Sequence, residues 1–430
     1  MRLLLVGAFP YPQHHGSQVY FQEQAIALRS LGARITLLTY GCGNRPPIQQ
    51  PRGEGQDHAA AHWRALDGFD LQISAKWTAP SSLGSGPHWQ KPLADLGLAT
   101  RLRQIVAFSQ ENDAFDAILT HNSEAALSAL WALPKPRPAI LYCVHTLLGQ
   151  ELSAYLKGPK TNSFLDRFDP SSRSSMLGSG LDRLGEGIDR WLARHADGWI
   201  SLTHSSERVM RQFSDGPGAL IPPAVPDPLS RRIVVEPAEM ARRHGLEPGR
   251  FLLYSGNLDG YQELDILAAV ARRRKSTGLG RQPLVLASHS AQKSAGWAKR
   301  AMPGVQFVHV ESLAEMQALL SSARASLLTR RAEGGFPIKL VNSLAVGTPV
   351  LAFHEAEWGL KHERDSLICD ATEPVASLAA AIERLEEDDG LAARIATGAR
   401  ERYLERHRPE PAARQSWALI DDLRRSQSTI

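Results

Sequence analysis

Ten short runs of consecutive apolar residues, separated by stretches with a helical repeat, recur along this chain of 430 residues. In the first half they are Leu3–Ala8, Ile35–Tyr40, Ala117–Thr120, Ala139–Val144 and Trp199–Leu202. In the second half they are Phe251–Ser255, Leu284–Ala287, Val305–Val310, Ala325–Thr329 and Pro349–Phe353. A strand with one face in water alternates apolar and polar residues. A strand that does not alternate is covered on both faces, the situation of parallel strands flanked by helices. The pattern therefore predicts an α/β chain of two Rossmann-like, doubly wound parallel-sheet domains.

The boundary falls at Ile221-Pro222-Pro223-Ala224-Val225-Pro226-Asp227-Pro228, where prolines can continue neither a helix nor a central strand. We expect a first domain over 1–222, a linker over 223–248, a second domain over 249–405 and a final helix over 406–430. That helix has Trp417, Leu419, Ile420 and Leu423 on its apolar side, and is expected to pack back on the first domain. Residues 42–69, rich in Gly, Pro, Gln and His, read as a long loop. Residues 157–180, with scattered Ser and Gly, read as a flap or a surface insertion.

The formal charge of +4 is small for this length and argues against a nucleic-acid partner. The densest cationic run, Arg272–Lys275, is explained by a solvated helix end. Cys42, Cys143 and Cys369 are far apart and match no metal spacing, which fits a reducing compartment such as the cytoplasm. No apolar run is long enough to span a bilayer, although contact with a membrane surface stays open.

Four loops at strand ends carry the candidate chemistry. The stretch Glu333 to Pro349 (EGGFPIKLVNSLAVGTP) follows a strand and opens a helix, with Pro337 suited to its first position and Gly347 to its end. Glycines allow close approach of a ligand, and the free N–H groups of Ile338 and Lys339 make an anion site. Lys339 and Asn342, three apart, lie off the apolar stripe, suited to a phosphate and a ribose hydroxyl. The second loop, Tyr254 to Leu264, contains Asn257 and Gln262. The third, Ala8 to Gln18, contains Gly16. The fourth candidates are His121 with Asn122, and His145, all at strand ends where open α/β sheets bind ligands. Glu124, Glu151 and Asp197 lie close by, but helix starts explain the first two.

The segment GGFPIKLVNSLAVGTPV resembles the donor-binding signature of retaining B-fold glycosyltransferases of family 4 type. The resemblance is strongest over 325–370, moderate over 1–40 and 139–155, and spans nearly the whole chain. It implies transfer of a sugar from a nucleotide diphosphate sugar to an acceptor hydroxyl, with retention, in glycan, glycolipid or secondary-metabolite synthesis. The second domain would hold the donor; the first would hold a glycan, lipid-linked or small-molecule acceptor through His121 and Asn122. No cofactor or metal is implied. His145 would lie beside the donor sugar, and Gly16, Gly335, Phe336, Pro337 and Ile338 would contact the donor. The signature's two glutamates fall here on Gly334, with Glu333 one step out, and on Asn342. An arginine and a lysine of the family's second loop read Asn257 and Gln262, for which Arg330, Arg331 or Lys339 would compensate. These departures leave a rival reading open, a non-catalytic relative that binds a nucleotide sugar or a partner protein.

Overall fold

The computed structural model describes residues 1–11, 16–40, 69–74, 90–151, 175–230, 235–258, 262–278, 282–289, 302–331 and 334–428. The first sheet holds β1 (Arg2–Pro10), β2 (Arg34–Tyr40), β3 (Asp70–Ile73), β4 (Ala117–His121), β5 (Ala139–Val144), β6 (Gly198–Ser201) and β7 (Gly218–Leu220), in the order β3-β2-β1-β4-β5-β6-β7. The second holds β8 (Leu252–Ser255), β9 (Leu284–Ser288), β10 (Val305–His309), β11 (Ala325–Leu327), β12 (Val350–Ala352) and β13 (Ser366–Ile368), in the order β10-β9-β8-β11-β12-β13. All pairings between these strands are parallel. The two sheets are thus the two doubly wound α/β domains that the apolar runs predicted.

Strand β1 shows why those runs are continuous. Leu3 and Leu5 enter one core and Leu4 and Val6 enter another, and all four are fully buried. Alternate side chains face opposite layers, so every position is apolar. The strands that the sequence hid are edge strands. In β3, Asp70 to Ile73 are half-exposed or exposed, so no apolar run marks them.

Helices α1 (Gly16–Ser30), α2 (Lys91–Asn112), α3 (Ser123–Ala132), α4 (Ser175–His195) and α5 (His204–Phe213) belong to the first sheet. With the second go α6 (Pro237–Arg243), α7 (Leu264–Thr277), α8 (Leu313–Ser322), α9 (Ile338–Ala345), α10 (Pro374–Glu387) and α11 (Asp389–Arg406). The last helix, α12 (Pro409–Ser428), contacts α1 and strands β5 to β7, burying Leu419, Ile420 and Leu423. Gly198 of β6 leaves it room: a Cβ there would lie 2.9 Å from Leu423 Cδ1. The expected loop 42–69 lies outside the described residues up to residue 68. So does the expected flap 157–180 up to residue 174, while residues 175–180 open α4. Among the described residues no helix is long and apolar enough to cross a membrane.

The proline-rich linker is strapped to the end of α11. Arg400 pairs with Asp227, Tyr403 OH donates to Val225 O at 2.9 Å, and His407 Nδ1 bonds Pro223 O at 2.7 Å. Each sheet changes winding direction beside its first strand: β1 lies between β2 and β4, and β8 between β9 and β11. Ligands bind doubly wound sheets at these switch points, beyond the carboxyl ends of the strands.

Candidate active site

On the second domain the site is built from three strand ends. Beyond β11, Gly334 and Gly335 take φ of +104° and +69°, a region glycine enters without steric cost. Trp358 Nε1 donates to Gly335 O at 3.2 Å and fixes the loop. Pro337 is the residue before α9, with φ −75° and ψ 113°, rather than its first helical residue. Phe336 is buried, its ring 5.4 Å from that of His407. Lys339, in the first turn, does not point to solvent as its place off the apolar stripe suggested. It is half-buried: Nζ donates to Gln262 Oε1 at 2.7 Å and Tyr254 OH at 3.0 Å, and lies 4.2 Å from the Tyr254 ring centre. Its ammonium therefore sits over the loop after β8, so close that a Cβ on Gly256 would lie 3.3 Å from Nζ. Gln262 is buried and accepts from this lysine through Oε1. Arg331 is committed elsewhere, to Glu263 through its backbone and side chain.

On the first domain the site is neutral. His121 closes β4 and is fully buried; His145, just beyond β5, is 7% exposed. His121 Nδ1 and His145 Nε2 are 2.9 Å apart. Phe21 and Tyr20 of α1 wall the pair, with Phe21 edge-on to His121 at 4.8 Å and Tyr20 edge-on to His145 at 5.1 Å. Burial drives the pKa of His145 down to about 3 and holds that of His121 well below the ordinary value, helped by His145 itself. Both rings are neutral at physiological pH. His121 meets no solvent, so the acceptor contact expected of it is closed in this structure. Asn122 takes φ 74° and ψ 166° at the cap of α3, with Oδ1 buried and unbonded. Strained backbone of this kind concentrates at functional sites.

The two lips touch. A Cβ on Gly335 would lie 2.9 Å from Thr146 Oγ1 and 3.5 Å from His145 O. A Cβ on Gly334 would lie 3.1 Å from Thr146 Cγ2 and 3.2 Å from Gln150 Oε1. A Cβ on Gly16, at the start of α1, would lie 3.5 Å from Ile338 Cγ1. The glycine loop of one domain thus meets the histidine strand end of the other, and together they form a candidate site between the two domains.

Residues 15–224 match the model for the glycosyl transferase 4-like domain, and residues 249–388 match that for glycosyl transferases group 1. The chain belongs to the group 1 glycosyltransferases. Solved structures share its B fold at low identity. Sucrose-phosphate synthase from Thermosynechococcus elongatus is 16% identical with a TM-score of 0.72, covering 98% of each chain. Anabaena HepE in complex with UDP-glucose is 15% identical with a TM-score of 0.64, covering 100% of both. WaaG, a glycosyltransferase involved in lipopolysaccharide biosynthesis, is 15% identical with a TM-score of 0.60, covering 95% of this chain and 98% of its own. No curated protein matches the sequence.

In this glycosyltransferase the fold brings Gly16, His145, Gly335, Ile338 and Lys339 to one cleft. Asn257 lies in the same loop as Gly256, and its carbonyl accepts from Tyr254 OH at 2.8 Å. Asn342 is half-buried in α9, one turn on from Lys339. Glu333 lies outside the described residues. Among the acids near the strand ends, Asp197 bonds Arg137 and Ile140 N and holds the sheet, while Glu124 pairs with Lys91 at 2.9 Å. Burial, with Glu124 next, raises Glu151 to about 7. No group of three His, Cys, Asp or Glu that could hold a metal occurs among the described residues. Sequence reasoning missed Thr146, Gln150 and Trp358. Thr146 was marked by following His145 directly; Trp358 carried no signal, because only tertiary folding brings it to Gly335.

Proposed function

We propose that this glycosyltransferase moves a sugar from a nucleoside diphosphate sugar to an acceptor hydroxyl with retention of anomeric configuration. The observation that carries the donor reading is Lys339, held over the β8–α7 loop at the start of α9. The amide N–H groups that open α9, the helix dipole and this ammonium offer a fixed positive field to a diphosphate. Arg330, which lies 4.0 Å through Nη2 from a Cβ built on Gly335, adds a second cation at the same loop. Asn342 is placed for a ribose hydroxyl, and the acceptor enters over Asn122 and the end of β5.

In the reaction the bond between the anomeric carbon and the phosphate oxygen breaks with its electron pair on phosphate. A bond to the acceptor oxygen forms, and the hydroxyl proton passes to the departing phosphate oxygen that received the electron pair. Charge on the departing diphosphate grows as the bond breaks, and preorganised donors at α9 meet it there, usually the largest catalytic contribution. The sugar, electron-poor at this stage, lies beside the neutral His145. Closing the lips excludes water, which would hydrolyse the donor. A glycan, lipid-linked or small-molecule acceptor fits this reading, the lipid-linked one bringing the protein to a membrane surface.

The test is a thermal-shift panel of UDP-, GDP-, ADP- and dTDP-sugars followed by assay of donor consumption. Uridine nucleotides come first, because HepE and TarM structures contain UDP. A binding donor raises the melting temperature by mass action. The second reading, a binder without turnover, is favoured by Gly334: its φ of +104° and the crowding of Thr146 and Gln150 around a Cβ there disfavour a carboxylate at that position. Binding of a donor that is never consumed, with any acceptor extract, would establish the second reading over the first.

A further inference from the structure

The His121–His145 pair has a built-in direction. Each neutral imidazole carries one ring N–H, and which nitrogen holds it is set by the partner of the other. One arrangement has His145 Nε2–H donating to His121 Nδ1. The His121 proton then sits on Nε2, a buried atom with no hydrogen-bond partner. The other has His121 Nδ1–H donating, which leaves only a bare lone pair at that sealed nitrogen. An orphaned buried N–H is rarer in folded proteins than an under-satisfied acceptor, which favours the second arrangement. It leaves the proton of His145 on Nδ1. That atom makes no hydrogen bond to the described residues, yet is not among the sealed, unpartnered atoms. The backbone carbonyl of His145 lies 3.5 Å from a Cβ built on Gly335, which places this residue's backbone against the donor loop.

We propose that His121 is a positioning residue whose Nδ1–H bond to His145 Nε2 holds His145 in the Nδ1–H tautomer and presents a neutral N–H donor to an oxygen of the reacting sugar. The proposal rests on the reading that the donor sugar lies beside His145. Tyr20 and Phe21 complete the device by excluding water that would otherwise satisfy either tautomer. No charge is created or lost: the pair supplies direction to a hydrogen bond, not a proton to the reaction.

Long-range proton–nitrogen NMR on 15N-histidine-labelled full-length protein reads the tautomer directly and without any ligand. The expected spectrum shows His145 protonated at Nδ1 and bare at Nε2, and His121 likewise; a proton on His145 Nε2 overturns the proposal. Kinetics give the second arm, using the nucleotide sugar that most raises the melting temperature. In His121→Phe the directing N–H is gone, and kcat falls about tenfold or more with donor KM within about twofold. In His121→Asn the side-chain amide reaches the Nδ1 position and restores most of the rate. Equal losses in both variants, at unchanged melting temperature, mean a packing role only and overturn the proposal. Should the variants misfold, the wild-type spectrum still decides. The donor reading fails separately: normal turnover in His145→Ala removes the sugar from beside His145 whatever the spectrum shows.

Discussion

On the first domain the cleft is lined by two histidines that burial keeps uncharged, packed against Phe21 and Tyr20. On the second it is lined by a lysine, a pair of glycines in left-handed backbone and the first turn of a helix. One lip presents two buried, uncharged imidazoles, and the other presents a lysine and a loop made largely of backbone. The difference follows from what each would face. A diphosphate needs fixed positive field, which glycines and helix starts supply without side chains in the way. A sugar carbon that turns electron-poor is best served by a neighbour that cannot itself become cationic. The lips meet at Gly334 and Gly335, where backbone touches Thr146 and Gln150 with no side chain between.

The largest effect should come from disturbing that meeting. Gly335 and Gly245 have nearly the same backbone, φ +69° and +68°, but nothing lies within 4 Å of a Cβ at Gly245. Both Gly335→Ala and Gly245→Ala should take on about 1–2 kcal/mol of left-handed strain, and Gly335→Ala should lose more than that because its Cβ would lie 2.9 Å from Thr146 Oγ1. Only Gly335→Ala also drives a methyl into Thr146 and the His145 carbonyl. We expect its turnover to fall about a hundredfold, the scale of a 1 Å misplacement at a reacting centre. Chemical unfolding and steady-state kinetics on both variants check this. Equal turnover in the two would break the idea that the lips must close on each other.

A smaller effect tests the lysine lip alone. Lys339 donates to Tyr254 OH and Gln262 Oε1, and its side chain is half-buried. Lys339→Ala leaves the buried Gln262 Oε1 without this donor and should cost the free protein about 1–3 kcal/mol of stability. Affinity for a nucleoside diphosphate should drop about 10- to 100-fold, the worth of a hydrogen bond to a charged group. Calorimetric titration with UDP and GDP measures it. An unaltered affinity would move the diphosphate away from α9 and leave the comparison with only one characterised lip.

Much of this contrast was legible before the fold was known, but unevenly. The parallel strands announced themselves because Leu3 to Val6 must satisfy two cores at once. The glycine loop and helix start announced themselves because left-handed backbone and orphan amides demand particular residues. Edge strands such as β3 did not, since one side of them faces water. The direction of Lys339 was misread for a related reason. Helical periodicity reports which side of α9 packs on its own sheet, and says nothing of a neighbouring loop that bends over the first turn. His121 was misjudged likewise: its strand-end position suggested exposure, while α1 brings Phe21 and Tyr20 across it. Trp358, far along the chain, reaches Gly335 through the fold alone.

The smallest predicted effect uses a third histidine as a control on the histidine lip. His407 is buried beneath Phe336 and bonds Pro223 O, and burial lowers its pKa to about 4. A histidine kept neutral in the folded chain, with an ordinary value near 6.5 when unfolded, takes up its proton only on unfolding as pH drops. Its contribution to stability is therefore intact above about pH 6.5 and is lost below it, by up to about 1.4 kcal/mol per pH unit. Glu151 and Asp95, raised to about 7 and about 6, act with the opposite sign, since the folded chain binds their protons first. They are common to wild type and variant and cancel in the difference. In His407→Asn the side-chain amide keeps the bond to Pro223 O and removes the titration. Urea unfolding at pH 7 and pH 5 should show the variant losing about 2 kcal/mol less than wild type over that interval. Turnover at pH 7 should be near normal, because His407 touches the proline-rich linker and the ring of Phe336 rather than His145 or Lys339. Parallel stability curves would mean that His407 is already open to water, and the same burial argument for His121 and His145 would lose its support.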